Sequence, residues 1–348
     1  MSIFTRPILE INLNNLLHNY ETLKALAKGS IAAAVVKDDS YGVGSVEVVK
    51  KLYNEADCRH FFVAHALEAA KIVKYAPKAC IYVLQGIGAD NLTLFKKYKF
   101  VPVISDTEMF RYWMKNKIKG IKPVINIETG LNRLGFRESD LKQLSQAEKK
   151  EFCMVMSHYA CADESEHFMN DNQVGRFNEL RIKYLPDLPT SLAASDGVFL
   201  GKKYQGDMVR LGGAVYGLNT TLRQASKMKN VMRVLAPVLQ VAELKKGDYV
   251  GYSATYQAKA DGKIAIISIG YGDGLPRAIS NKHHILGRIS MDNTIIEGKD
   301  LKVGDYVEVM GPGYDQDDMG KDAGTIGYEV ISRFGKGMRF KRIYIGRA

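Results

Sequence analysis

This chain of 348 residues has no apolar run approaching the roughly 20 residues of a membrane-spanning helix, so no membrane partner is expected. Its first residues, Met1 to Pro7, lack a charged region followed by an apolar stretch, so no secretory leader is expected. Cysteine is scarce. Cys58, Cys80, Cys153 and Cys161 have no paired spacing, which argues against a zinc site and a disulfide framework and suits reduced thiols in the cytoplasm. The formal charge is +11, yet lysine and arginine are scattered among acidic residues with no long basic run. That pattern reads as a solvated basic surface rather than a nucleic-acid face. A positive potential does suit a phosphorylated cofactor and a carboxylate substrate. Internal repeats, low-complexity segments and long linkers are also missing.

What is present is enough apolar residue, 46%, to bury a sizeable core. Short apolar runs at Ile31–Val36, Phe61–Ala64, Cys80–Leu84, Val101–Ser105, Pro123–Ile127, Phe152–Met156, Thr190–Ala194 and Met208–Leu211 alternate with helical patterns such as Val46–Tyr53, Leu67–Tyr75 and Asp171–Tyr184. Strands apolar on both faces and each followed by a helix predict a parallel sheet covered by helices. The number of units fits an α/β fold of the (β/α)₈ TIM-type barrel, with a doubly wound open sheet as the alternative. After about Asn219 the texture changes to β-branched or alternating runs: Leu235–Leu244, Gly247–Tyr252, Lys263–Ile269, Ile285–Ile289, Thr294–Glu297 and Asp305–Met310. Helical periodicity is nearly absent there until Ile326–Phe334. The expected division is a barrel over residues 1–227 and a mostly antiparallel β domain over 228–348, with a first strand near 7–13 joining the second domain.

The first barrel strand ends in Val35-Val36-Lys37-Asp38-Asp39-Ser40-Tyr41-Gly42-Val43-Gly44. A lysine at that point stands at the barrel's C-terminal mouth, where barrel active sites are built. Lysine amines form Schiff bases with aldehydes once their proton affinity is depressed. Taken by itself, however, Lys37 reads as a strand-end lysine pointing to water.

The segment resembles the lysine motif of alanine racemases, Lys-Ala-Asp-Ala-Tyr-Gly-His-Gly, matching at Lys37, Asp39, Tyr41, Gly42 and Gly44 and departing at Asp38, Ser40 and Val43. The resemblance continues in register. It takes in Arg6, Glu10 to Tyr20 with His18-Asn19, Glu128 to Gly135, Ser157-His158-Tyr159-Ala160, Ala194-Ser195, and Val209 to Gly212 with Tyr216-Gly217. In the second domain come Gly251 to Tyr256, Gly270 to Gly274, Gly287 to Asp292 and Thr325 to Glu329.

This resemblance implies pyridoxal 5′-phosphate (PLP) held on Lys37 as a Schiff base, and racemisation of alanine. The reaction removes the α-proton from one face and returns it on the other, so two acid/base groups must flank the cofactor. The resemblance makes these Lys37 and Tyr252. A phenol acts as a base only where positive charge stabilises phenolate, and His158 and Arg210 are placed to supply such a chain. Arg210 would face the cofactor's pyridine nitrogen, where a guanidinium donates a hydrogen bond and leaves that nitrogen neutral. Tyr41, Ser195, Tyr216 and the amides of Gly212 and Gly213 would hold the phosphate. Arg133 and the Met291 amide would take the substrate carboxylate. Asn126, Asp292 and Tyr271 are supporting residues. Tyr252 and Met291 would enter from a partner subunit, which implies a homodimer with composite sites.

Three departures stand out. Many members carry a carbamylated lysine where this chain has Asn126, so Arg133 is expected to be held by that amide together with an anion such as chloride. The family's Arg-Val-Pro-Arg is missing from the region Gly337-Met338-Arg339-Phe340. A phosphate-contacting tyrosine of some members also has no counterpart there, Lys336 standing about in its place. The resemblance implies D-alanine supply for peptidoglycan. A racemase of broader range, for example toward serine, is the alternative that Asn126 and the altered tail feed. A lone-barrel PLP-binding protein would lack Tyr252 and Met291, and a PLP decarboxylase of this architecture would place a carboxylate at Arg210.

Overall fold

Most barrel strands are short apolar runs, and helices follow them at the barrel's outer side. The computed structural model describes residues 6–219, 221 and 228–347. The strands of its first part are β1 (Ile8–Asn12), β2 (Ile31–Val35), β3 (His60–Val63), β4 (Cys80–Val83), β5 (Val101–Ile104), β6 (Val124–Asn126), β7 (Met154–Met156), β8 (Thr190–Ser191) and β9 (Met208–Leu211). β2 to β9 form an eight-stranded sheet in the order β8-β7-β6-β5-β4-β3-β2-β9, with all its pairs parallel. A bridge from Ala194 to Arg210 links the chain after β8 to β9, so the sheet nearly closes on itself. This is the expected barrel and not the open sheet.

Alternation along the strands separates two cores. Val35, Phe62, Tyr82, Val103, Val124 and Met156 fill the barrel, while Phe61, Val63, Ile104 and Ile125 face the helices. All eight strands therefore end at one mouth, and Lys37 follows β2 there.

The second part holds β10 (Met232–Leu244), β11 (Tyr249–Val250), β12 (Tyr256–Gln257), β13 (Gly262–Ile267), β14 (Thr294–Glu297), β15 (Tyr306–Met310) and β16 (Lys341–Ile345). Six strands form one sheet, β14-β13-β10-β1-β16 with β15 also on β10. β10 is long enough to serve two neighbourhoods: its first half, up to Pro237, pairs with β1 and β15, and its second half, from Val238 on, pairs with β13, with an irregularity between Val238 and Gln240. β1 lies in this sheet, antiparallel to β10 and parallel to β16.

Three elements differ from the sequence reading. Ile285–Ile289 makes only a single bridge, from Ile285 to Ile296. A helix at Gln316–Ala323 was not expected, because Met319 is its one large buried apolar residue; the Asp315 side chain caps it by accepting from Asp317 N and Asp318 N. β16 was also unforeseen, since its register beside β1 is set by a strand more than 300 residues away. Among the described residues no helix is long and apolar enough to cross a membrane.

Candidate active site

Lys37 opens an unusual turn. Asp38, Asp39, Ser40 and Tyr41 all have positive φ, at 53°, 53°, 57° and 56°. Side chains in the left-handed region cost about 1–2 kcal/mol each, so four in succession need outside support. The support is visible on every side. Glu68 accepts a hydrogen bond from the Asp38 amide at 2.6 Å, and the Asp39 carboxylate accepts from Ser45 N at 3.0 Å and Ser45 Oγ at 2.9 Å. Gly42, at φ 88°, lies so close to helix Gly327–Lys336 that a Cβ would come within 2.7 Å of Gly335 Cα. The turn aims Lys37 into the mouth of the barrel. Burial there, and after it the nearby Arg133, lower the proton affinity of its amine. A depressed amine is what a Schiff-base lysine requires.

A cradle lies beside it. Ser195 Oγ accepts from the Gly212 amide at 2.8 Å. A Cβ on Gly212 would meet the Tyr41 hydroxyl at 2.7 Å, and a Cβ on Gly213 would collide with the Tyr328 hydroxyl. Two glycine backbones and three hydroxyls, from Tyr41, Ser195 and Tyr328, thus surround one small space. Its donors suit a phosphate, and burial raises the phenols of Tyr41 and Tyr328, which keeps them protonated as donors.

Two expectations change here. Tyr216 is fully buried and donates its hydroxyl to the Val35 carbonyl at 2.7 Å, so it backs the Tyr41 ring, 4.6 Å away between centroids, instead of offering a phosphate contact. The phenol sought near Lys336 is Tyr328, which lies in the Thr325-Ile326-Gly327-Tyr328-Glu329 motif already matched; only its closeness to Gly213 reveals its use. Lys336 itself pairs with Asp38 at 3.3 Å.

Arg210 is 4% exposed and surrounded by neutral partners. Its Nη1 donates to Ser191 O at 2.9 Å and Ser191 Oγ at 2.7 Å, and its Nη2 donates to Ser157 O at 2.7 Å and Leu192 O at 3.1 Å. Burial lowers its pKa to about 10, so it keeps its charge at neutral pH. Nη2 also lies 3.3 Å from His158 Nδ1. Because a guanidinium cannot accept, Nδ1 must be the unprotonated nitrogen and Nε2 the N–H. Burial, then Arg210, Arg133 and Lys37, push the His158 pKa down to about 3, so the ring is neutral.

Arg133 is exposed on the loop after β6. Asn126 does not hold its guanidinium in the expected way. The amide donates to Ser105 Oγ at 3.2 Å and to the Leu134 carbonyl at 3.0 Å, so it steadies the backbone next to Arg133.

The remaining residues form a second group on the β domain. Tyr252 and Met291 are 68% and 55% exposed, and Tyr271 and Tyr249 lie open nearby in sequence. The Tyr271 and Met291 loops are tied together, Tyr271 N to Ser290 O at 3.0 Å and Gly272 N to Met291 O at 2.9 Å. Arg339 binds both: its Nε donates to Asp273 Oδ1 at 2.7 Å and its Nη2 to the Asp292 carbonyl at 3.1 Å. The tail motif is therefore present in altered form, since Arg339-Phe340-Lys341-Arg342 keeps both arginines at the family spacing, and Arg342 reaches the Gly335 carbonyl. Arg342 also pairs with Asp39 of the Lys37 turn at 3.8 Å, and so links the tail to that turn.

The family model for the alanine racemase N-terminal domain matches residues 11–220, and that for the alanine racemase C-terminal domain matches 231–344. A catabolic alanine racemase of Agrobacterium fabrum is 36% identical, over 97% of this chain and 92% of the relative. An alanine racemase of Rhizobium meliloti is 34% identical, over 98% and 97%. The crystal structure of alanine racemase from Bartonella henselae with covalently bound pyridoxal phosphate superposes with a TM-score of 0.91 at 31% identity, covering 98% of this chain and all of that one.

Proposed function

This chain belongs to the alanine racemase family, and we propose that Lys37 and Tyr252 are the two groups that exchange the α-proton of alanine on its opposite faces. The activity is PLP-dependent racemisation, interconverting L- and D-alanine. The observation that carries the residue assignment is the site around Lys37: an amine of depressed proton affinity beside a glycine-floored, hydroxyl-rimmed cradle fit for a phosphate.

Tyr41, Ser195, Tyr328 and the amides of Gly212 and Gly213 would hold the cofactor's phosphate, Lys37 its aldehyde carbon, and Arg210 its ring nitrogen. When bound, PLP withdraws electrons from the substrate's α-carbon and so acidifies the α-hydrogen. Lys37 Nζ takes or returns that proton on one face, and the Tyr252 hydroxyl does so on the other. In the reverse direction they exchange tasks. Arg133 grips the substrate carboxylate with the Met291 amide, while Asn126 steadies the Arg133 loop. His158, held as the Nε2–H tautomer by Arg210, offers a hydrogen bond without taking a proton from Lys37. Arg210 donates without accepting, which leaves the ring nitrogen unprotonated and favours quick return of the proton over side reactions.

Tyr252, Met291 and Tyr271 are exposed within one chain, which supports a homodimer whose sites combine both subunits. We place the division of the chain at residues 227 and 228, with the first strand given to the second domain, and the protein in the cytoplasm. Its D-alanine would supply peptidoglycan. The Agrobacterium fabrum relative, named catabolic, favours a second reading in which the enzyme works toward alanine breakdown.

The test compares Lys37→Ala and Tyr252→Phe by absorbance and by racemisation in both directions. Lys37→Ala should lose the bound cofactor's visible band. Tyr252→Phe should keep that band and lose about 10²–10⁴-fold in rate. Full activity of Tyr252→Phe in both directions would overturn the two-group assignment.

A further inference from the structure

We propose that Glu68 is the positioning residue of the left-handed turn: its carboxylate ties the first peptide after Lys37 to the head of helix Ala66–Ile72, and thereby holds Lys37 and Tyr41 in place. The idea rests on Lys37 being the cofactor's anchor.

Glu68 is half-buried on the helix that follows β3, the strand beside β2. Oε2 accepts from Ala64 N at 2.7 Å and His65 N at 3.1 Å, while Oε1 accepts from Asp38 N at 2.6 Å, thirty residues away in the chain. A helix cap needs only the first pair, and a glutamine serves in a capping box as well as a glutamate does. The Asp38 contact is a different task. Asp38 N begins the turn, where a backbone donor has no partner within the turn, and the turn's four positive φ values make it the most strained part of the site. Only an ionised carboxylate of this length accepts at both ends. Glutamine would turn an N–H₂ toward either Asp38 or the cap, setting donor against donor.

Charge adds to geometry. The groups facing Lys37 are Arg133 from the loop after β6, Arg210 from β9, neutral His158 from the segment after β7, and Glu68 and Asp38. On the turn's outer side Lys336 pairs with Asp38, and Lys71 and Arg342 with Asp39. Glu68 is thus the larger acidic influence that keeps a proton on the Lys37 nitrogen against burial and two arginines.

Glu68→Gln and Glu68→Ala are compared with the wild type by PLP titration of the apoenzyme and by the pH midpoint of the bound cofactor's visible absorbance. Both variants should bind PLP at least about tenfold more weakly, and the midpoint should fall by about one pH unit as the negative charge is lost. Lys37→Ala, titrated alongside, should lose the band. If Glu68→Gln behaves as wild type while only Glu68→Ala is impaired, Glu68 is a helix cap and the proposal is overturned. It is equally overturned if neither variant moves affinity or midpoint while Lys37→Ala loses the band. Retention of the band by Lys37→Ala would sink the anchor assignment itself.

Discussion

Arg210 donates to four neutral oxygens, whose dipoles stabilise its buried charge. Burial, and after it the neighbouring Arg210, hold the folded His158 pKa at about 3 against an ordinary 6.5. Between those values the unfolded chain binds a proton that the folded one refuses, so this residue makes stability fall as pH drops through the window. Urea unfolding at pH 5 and pH 7 should show that loss in the wild type, at most about 1.4 kcal/mol per pH unit from this group. His158→Gln should flatten it. A second residue-scale expectation concerns the cradle. Gly213→Ala drives a Cβ into the Tyr328 hydroxyl, and Tyr328→Phe removes that hydroxyl. Each should weaken PLP binding in equilibrium titration, and the double variant should lose less than the sum, because both changes remove the same contact.

At the scale of elements, the left-handed turn depends on helix Gly327–Lys336 of the second domain. A Cβ on Gly42 would lie 2.7 Å from both Gly335 Cα and the Ile331 carbonyl, and both are backbone atoms that cannot rotate away. With φ at 88° the substitution is also strained in itself. Gly42→Ala should therefore cost about 3 kcal/mol or more, read as a lower melting temperature together with weaker PLP retention. The Arg339 clamp works at the same scale. It joins the loop of Tyr271 to that of Met291, so Arg339→Ala should spare the barrel and its cofactor band but raise KM for alanine. A variant whose kinetics match the wild type would show that the loops hold themselves.

For the whole molecule, the composite site has an arithmetic consequence. If Tyr252 serves the partner's Lys37, then Lys37→Ala and Tyr252→Phe are each inactive as homodimers, but a mixed dimer contains one intact site. After mixing and exchange about half the dimers are mixed, each with one of two sites working, so activity should return to about a quarter of wild type. No recovery on mixing, with exchange verified by size-tagged subunits, would place both residues in one chain's site.

The barrel was legible in the sequence because burial on both faces makes a strand apolar throughout, and eight such runs with helices between them leave few topologies. Lys37, Tyr41, Arg133, Ser195 and Arg210 could be named because the motifs that carry them resemble those of alanine racemases; the first four follow strand ends, while Arg210 lies within β9. Long-range contacts were not legible. Tyr216 and Tyr328 both lie against the Tyr41 ring, and only the fold assigns one hydroxyl to the Val35 carbonyl and the other to the space over Gly213. Asn126 could be flagged as a departure, but its partners, Ser105 and Leu134, come from separate loops. Helix Gln316–Ala323 carries too little apolar pattern to announce itself, and β16 takes its register from β1. Sequence alone determined which residue types stand at each strand end, since local periodicity encodes burial. Tertiary structure decided which donor meets which acceptor, because a hydrogen bond depends on position to a fraction of an ångström and its partners are often set by segments far apart in the chain.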